Sequence, residues 1–181
     1  MIKFEKVPFN EYLKERTGGS DITDETLNAI KQEWEDIKLP QRATSGSAGY
    51  DFFAPYSFDV AEYYYDGGIG SISFGIGHEV TVPTGIRFIT DRKDICLICV
   101  PRSGLGFKYG TRLANTVGVI DSDYFQSENC GHIKVKMSAD SYVNIEKGKG
   151  MFQGIIMPYL MTDDDSCECK RNGGFGSTDR K

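Results

Sequence analysis

From Ala48 onward the chain consists of short runs rich in Val, Ile, Phe and Tyr, each broken within a few residues by Gly, Pro or Asp. Nothing in this stretch carries helical spacing over the length a helix needs, so it reads as strands closed by turns. The predicted strands lie at 49–53, 70–74, 78–82, 85–90, 94–101, 117–120, 131–137, 142–146 and 151–158. Short strands so closely spaced predict an all-β fold, a barrel or a jelly roll. Residues 103–109 have room for one or two helical turns. The 21 glycines in 181 residues exceed the average share of roughly 7%. They cluster rather than recur every third residue, which implies tight turns and close backbone approach rather than collagen or linker.

The first 45 residues have a different texture. Residues 22–38 read as a helix, capped by Asp21 or Thr23, with Asp24 and Glu25 in its first turn and Pro40 as its stop. Leu27, Ile30, Trp34 and Ile37 share one face, the pattern of a helix docked on a larger core. A shorter helix at 9–16 ends at Gly18-Gly19. Three parts are therefore expected: a partly helical extension at 1–41, a β core at 42–165 and a glycine-rich tail at 166–181.

Charge and composition exclude several classes. A net charge of −5 argues against stable nucleic acid binding through phosphate neutralisation. No stretch approaches the ~18 apolar residues of a membrane span, and Met1 to Lys6 lacks the apolar run of a signal peptide. Five cysteines are an odd number and too few for a disulfide scaffold, so they are read as reduced and the protein as cytoplasmic. Two windows run against the acidic average. Residues 95–120 hold Arg102, Lys108 and Arg112 with no acid, and residues 170–181 hold Lys170, Arg171, Arg180 and Lys181 against Asp179 alone. They suit a local anion site, or a chance clustering of solvated cations.

Common hydrolase and nucleotide signatures are missing. The two histidines, His78 and His132, form no His-Glu-x-x-His, and there is no Gly-x-Ser-x-Gly, P-loop or dinucleotide fingerprint. Cys96 and Cys99 sit three apart in a predicted strand and so point to opposite faces. Cys167 and Cys169 share a face but have no second half-site for zinc.

Three clusters remain. Pro101-Arg102-Ser103-Gly104-Leu105-Gly106 ends a strand where free N–H groups, a guanidinium fork and bare glycine backbone suit phosphate. Asn115 to Tyr124 runs an apolar strand into Asp121 and Asp123, and a carboxylate so placed can orient and deprotonate water. An ordinary acidic turn is the alternative. Gly173-Gly174-Phe175-Gly176-Ser177-Thr178 offers one aromatic ring on a supple strip, suited to stacking on a flat ligand, or else a plain mobile end.

In this order the three clusters closely resemble motifs of the trimeric deoxyuridine triphosphatases (dUTPases). Ala48-Gly49-Tyr50-Asp51 resembles the family's first motif, Pro101 to Gly106 its second and Gly118 to Tyr124 its third. Gly148 to Ile155 resembles the fourth in part, Gly173 to Thr178 the fifth, and Val82-Pro83-Thr84-Gly85-Ile86 the stretch between the first two. The resemblance implies a jelly-roll-like β-barrel subunit and a homotrimer with sites between subunits. It implies hydrolysis of dUTP to dUMP and pyrophosphate, with Mg²⁺ bound mainly through the substrate triphosphate. That reaction would limit uracil incorporation into DNA and supply dUMP for dTMP synthesis.

The roles implied by resemblance are these. Asp121, behind Val119 and Ile120 on the substrate-binding strand, is the base that activates water. Arg102, Ser103 and Gly104 hold phosphates, and Gln153 touches the α-phosphate. Asn115 and the backbone at Ile133 and Lys134 read the uracil edge, while Tyr124 lies under the deoxyribose and excludes a 2′-hydroxyl. Asp51 acts through water near the metal, or at the trimer interface. Lys170 or Arg171 serves the γ-phosphate with Ser177 and Thr178, and Phe175, beside Gly176, stacks on uracil as the tail closes.

The chain also departs from the pattern. Phe125 to Cys130 stand where the family usually passes from Tyr through Arg to Gly, which implies a longer base-binding hairpin. Gly150 stands where Arg is frequent, Asp179 replaces a final Gly, and 56–78 carries extra length. A dCTP deaminase of the same fold would want Arg-Ser-Ser and a Glu base, where this chain has Arg-Ser-Gly and Asp121. A nucleotide-gated regulatory protein is a further alternative, in which the N-terminal helix or the 125–130 insert would contact a protein partner.

Overall fold

A computed structural model describes residues 1–60, 79–169 and 171, together with the backbone of strands at 63–65 and 72–74. In chain order the elements are β1 (Ile2–Lys6), α1 (Phe9–Thr17), α2 (Asp24–Glu35), β2 (Gly49–Phe53), β3 (Phe58–Val60), β4 (Tyr63–Tyr65), β5 (Ile72–Phe74), β6 (Val80–Pro83), β7 (Ile86–Thr90) and β8 (Ile95–Pro101). There follow α3 (Ser103–Tyr109), β9 (Arg112–Leu113), β10 (Gly118–Ile120), a 3-10 turn at Tyr124–Gln126, β11 (Lys134–Ser138), β12 (Val143–Ile145) and β13 (Gly150–Pro158). The fold is all-β, as the strand pattern predicts. Among the described residues the ladders form open sheets rather than a closed barrel: β10-β8-β13-β2, β6-β11-β9 and the pairs β1-β7, β12-β3 and β4-β5.

β13 is the spine. It pairs antiparallel with β8 along Phe152 to Pro158 and with β2 along Gly150 to Ile155. Flanked on both sides, it has both backbone edges paired, and its core-facing positions carry large apolar side chains or none. Phe152 is fully buried and stacks on Phe52, with ring centroids 4.5 Å apart. At Gly154 a Cβ would stand 2.8 Å from both Leu97 and Phe52, so two strands' side chains close over bare backbone. The register slips between Gly150 and Phe152, which makes Met151 a bulge at the end that meets Arg102.

The helical forecasts agree closely in position. α2 begins behind Thr23, whose hydroxyl accepts the Thr26 N–H at 3.3 Å. Its buried stripe is as expected: Ile30 and Ile37 belong to the main core, and the Trp34 indole N–H donates to the Val7 carbonyl at 3.0 Å. α1 ends at Gly18 in the left-handed conformation. These helices do not simply rest on the β core. β1 zips onto β7 from Ile2–Thr90 to Lys6–Ile86, Phe4 packs edge-on against Phe52 at 5.5 Å, and Val7 and Tyr12 are fully buried. Gly85, at φ 71°, lies so close to Ile37 that a Cβ would stand 2.2 Å from its Cδ1.

Some expected boundaries shift. The 70–74 strand is Ile72–Phe74, the 78–82 strand is Val80–Pro83 with His78 outside the described residues, and the 131–137 strand starts only at Lys134. β1, β3, β4 and β9 have no counterpart in the forecast. Three of them are only two or three residues long, but β1 alternates apolar and polar from Ile2 to Glu5, a readable strand signal.

If the N-terminal helices share one cooperative core with the sheets, Ile30→Ala should destabilise the whole protein by about 2–5 kcal/mol. Thermal melting should then show a single transition at lower temperature. A separate early transition with the β signal unchanged would contradict this.

Candidate active site

Two hollows contain the site residues expected from sequence. The first has a volume of about 370 Å³ and is walled by the β9–β10 turn, β10 and the start of β11. Asn115, Val119, Ile120, Asp121 and Tyr124 all line it, with Ile133, Lys134 and Arg171. Its entry turn is strained. Thr116 takes φ 65°, and the Val117 N–H donates to the Asn115 carbonyl at 2.7 Å, a tight γ-turn that β-branched residues rarely accept. Gly118 has no side chain to fill the floor, which a Cβ would narrow to 3.2 Å from Cys99.

Asp121 and Asp123 flank the rim. The Tyr124 N–H donates to the Asp121 carbonyl at 3.1 Å, so the chain turns here instead of staying extended. Even so, both carboxylates converge on one cation. Arg171 donates from Nη2 to Asp121 and from Nε to Asp123, the latter at 2.8 Å, and stands over the Tyr124 ring. Its planar fork suits two carboxylates, and equally a phosphate. Burial raises the Tyr124 phenol above its ordinary pKa.

Ile133 does not offer free backbone to a ligand. Its N–H donates to the Ile86 carbonyl at 2.9 Å, and its carbonyl accepts from the Thr84 N–H at 3.1 Å and hydroxyl at 2.7 Å. Of the two backbone positions expected to read a base edge, this leaves Lys134. The Lys134 ammonium meets Glu15 of α1 at 2.9 Å. Just before it, His132 is fully buried. Its Nε2 accepts the Gly85 N–H at 2.9 Å, and its Nδ1 faces Glu11 at 3.7 Å. Sequence reasoning passed over Glu11, Glu15 and His132, because nothing local marks residues that meet the hairpin from α1.

The second hollow, about 490 Å³, is lined by Asp51, Arg102, Ser103, Gly104, Lys108 and Gln153 among others. Arg102 caps α3 and Ser103 is the first helical residue, the reverse of a serine cap. The Arg102 guanidinium is braced by Asp51 at 3.1 Å and by the Gly150 carbonyl at 3.0 Å. A Cβ on Gly150 would stand 2.6 Å from Arg102 Nη1, so the missing side chain at 150 is what lets Arg102 lie there. Gly49 likewise leaves room for Gln153, whose Oε1 would be 2.3 Å from an added Cβ. Lys170, Phe175, Gly176, Ser177 and Thr178 lie outside the described residues.

The two hollows share no lining residue. In the order β10-β8-β13-β2, Asp121 follows one edge strand and Asp51 sits on the other. Three strand spacings separate the edges, roughly 14 Å. One chain thus holds the carboxylate rim apart from the Asp51–Arg102 grip. Among the described residues no three His, Cys, Asp or Glu side chains cluster as metal ligands. All five cysteines are free, and no helix among the described residues is long and apolar enough to cross a membrane.

Fold and site together define an all-β protein with clefts for a small anionic ligand. The comparisons specify which: the dUTPase family model matches residues 35–178, and the chain belongs to that family. A deoxyuridine 5'-triphosphate nucleotidohydrolase of Lactococcus lactis subsp. lactis (strain IL1403) is 38% identical over 147 residues, covering 78% of this chain and 88% of that protein. The crystal structure of a dUTPase from Streptococcus mutans superposes with a TM-score of 0.59 at 30% identity, over 89% of this chain and 98% of that one. A mutant dUTPase from phage phi11 of S. aureus, described with a structural Mg(II) ion, shares the fold at TM-score 0.55 and 15% identity, over 74% and 92% of the two chains.

Burial holds the His132 imidazole down at about 4. The folded protein therefore keeps it neutral, whereas the unfolded chain binds a proton below about 6.5. Its contribution to stability is complete above pH 6.5 and is lost as pH falls from there toward 4. By NMR, one of the two histidine Hε1 resonances should stay unshifted from pH 8 down to 5.5. Titration of both near 6.5 would contradict the buried neutral assignment. Separately, Gly150→Ala should displace Arg102 and lower kcat/KM about tenfold or more while the fold persists, as steady-state kinetics and circular dichroism would show.

Proposed function

We propose that this chain hydrolyses dUTP to dUMP and pyrophosphate, with Asp121 as the base. Water attacks the α-phosphorus, its proton passes to the Asp121 carboxylate, and the bond from the α-phosphorus to the pyrophosphate oxygen breaks. The observation that carries this reading is the position of Asp121, at the end of β10 on the rim of the cavity that also holds Asn115, Tyr124 and Lys134. Phosphoryl transfer asks for positioning and charge neutralisation more than for covalent chemistry, and these residue types supply both.

Asn115 and the Lys134 backbone read the uracil edge. Tyr124 packs under the deoxyribose. Arg102, Ser103, Gly104 and Gln153 hold phosphate oxygens. Arg171, which bridges Asp121 and Asp123, offers the same fork to a phosphate, and its transfer uncovers the base. Lys170, Ser177 and Thr178 complete the γ-phosphate contacts, and Phe175 with Gly176 covers the uracil. Mg²⁺, when bound, would neutralise charge on the triphosphate, and Asp51 would act on it through water. A homotrimer is favoured by the separation of the two hollows, since a second copy can bring its Arg102 grip to the first copy's Asp121. The reaction would act in the cytoplasm, removing dUTP before its uracil enters DNA and yielding dUMP for dTMP synthesis.

Pyrophosphate release measured side by side should be rapid with dUTP and slow with dCTP, dTTP and UTP. Asp121→Asn should retain dUTP binding and lose at least ~100-fold in kcat, the scale of a lost general base. Near-normal turnover in that variant, or equal turnover of dCTP, would refute the assignment. Light scattering should report the mass of three chains.

A further inference from the structure

The loop from Tyr124 to His132 contains the 125–130 stretch that departs from the family pattern. It is tightly built. The Ser127 N–H donates to the Tyr124 carbonyl at 3.0 Å, the Cys130 N–H to the Ser127 carbonyl at 2.8 Å and the His132 N–H to the Asn129 carbonyl at 3.0 Å. Cys130 and Gly131 are both left-handed, at φ 56° and 74°. A Cβ on Gly131 would stand 2.4 Å from the Phe125 Cα, so the loop closes on bare backbone.

The Asn129 side chain holds this loop from within and points toward the cavity wall. Its Oδ1 accepts the Gly131 N–H at 3.2 Å. Its Nδ2 donates to the Tyr124 phenol oxygen at 2.9 Å and to the His132 carbonyl at 3.2 Å. The orientation of the amide follows from its neighbours: Gly131 presents a donor and His132 an acceptor, so only this orientation satisfies both. The phenol in turn donates to the His132 carbonyl at 3.2 Å. The Tyr124 hydroxyl therefore gives one bond and receives one, which fixes the ring that lines the nucleoside cavity.

We propose that Asn129 is a positioning residue that sets the Tyr124 ring and thereby the preference for 2′-deoxyribose over ribose. The 125–130 insert is then part of the specificity machinery rather than a docking loop for another protein. This rests on the reading of the cavity as a deoxynucleoside site. A steric wall rejects one added hydroxyl only as firmly as the wall is held. An apolar pocket alone discriminates such an addition by ~10²-fold, and a displacement near 1 Å can cost that much. Asn129, together with the His132 carbonyl, keeps the ring from yielding.

The test compares kcat and KM for dUTP and UTP in the wild type, Asn129→Asp, Asn129→Ser, Tyr124→Phe and the Asn129→Asp/Tyr124→Phe double variant. Asn129→Asp keeps the acceptor that closes the loop on Gly131 and replaces the Nδ2 donor to Tyr124 and His132 with an acceptor. It should cut the dUTP/UTP ratio of kcat/KM by about tenfold or more, through a lower KM for UTP, with kcat for dUTP changed less than about threefold. Tyr124→Phe should narrow the ratio similarly, and the double variant little further, since both act through the same Asn129–Tyr124–His132 network. Should Asn129→Asp melt early, Asn129→Ser carries the same comparison. An unchanged ratio in either folded Asn129 variant overturns the proposal, as do effects that multiply in the double variant. A wild type that hydrolyses UTP as fast as dUTP instead removes the cavity reading itself, and the proposal with it.

Discussion

The site residues depend on one arrangement, the pairing of β13 between β8 and β2. Phe152 stacks on Phe52 across that junction, and Gly154 lets Leu97 and Phe52 close over the spine. From this sheet the functional groups extend outward: Arg102 beyond the end of β8, Gln153 on β13, Asp51 on β2 and Asp121 beyond β10. The bulge at Met151 turns the strand where Gly150 presents its carbonyl to Arg102. The position of the proposed phosphate grip is thus a consequence of core packing.

The same sheet explains why one chain keeps its two hollows apart. β8 and β13 intervene between the edge strands, and hydrogen-bond spacing cannot be compressed. In the proposed trimer a second copy would bring its Asp51–Arg102 grip to the Asp121 rim. The N-terminal segment adds a second set of contacts. β1, α1 and α2 fill the main core, and α1 places Glu11 and Glu15 against His132 and Lys134 at the cavity wall.

The parts readable from sequence were those written in local chemistry. The stripe from Leu27 to Ile37 predicted α2, and the buried run 94–101 predicted β8 almost to the residue. The Arg-Ser-Gly turn and the Asp121 strand end were legible because each packs its donors or acids into a few consecutive residues. β3 and β9 were not, because two or three residues carry no period, and their pairing energy comes from partners far along the chain. β1 was legible in its alternation and went unread. The role of Gly150 was hidden for another reason: a missing side chain acquires meaning only from what occupies its space.

The sequence by itself determined the class of fold, the helices, the family and the identity of the chemical groups, since periodicity, capping and motif order are properties of neighbouring residues. Only the tertiary structure decided which groups meet. It joined Asp121 and Asp123 through Arg171, occupied the backbone of Ile133 with Thr84 and Ile86, buried His132 against Glu11, and turned Asn129 onto Tyr124. These are contacts between segments that the chain brings together only when the core closes, and the energy that selects them, burial and hydrogen bonding in a shared interior, belongs to no single segment.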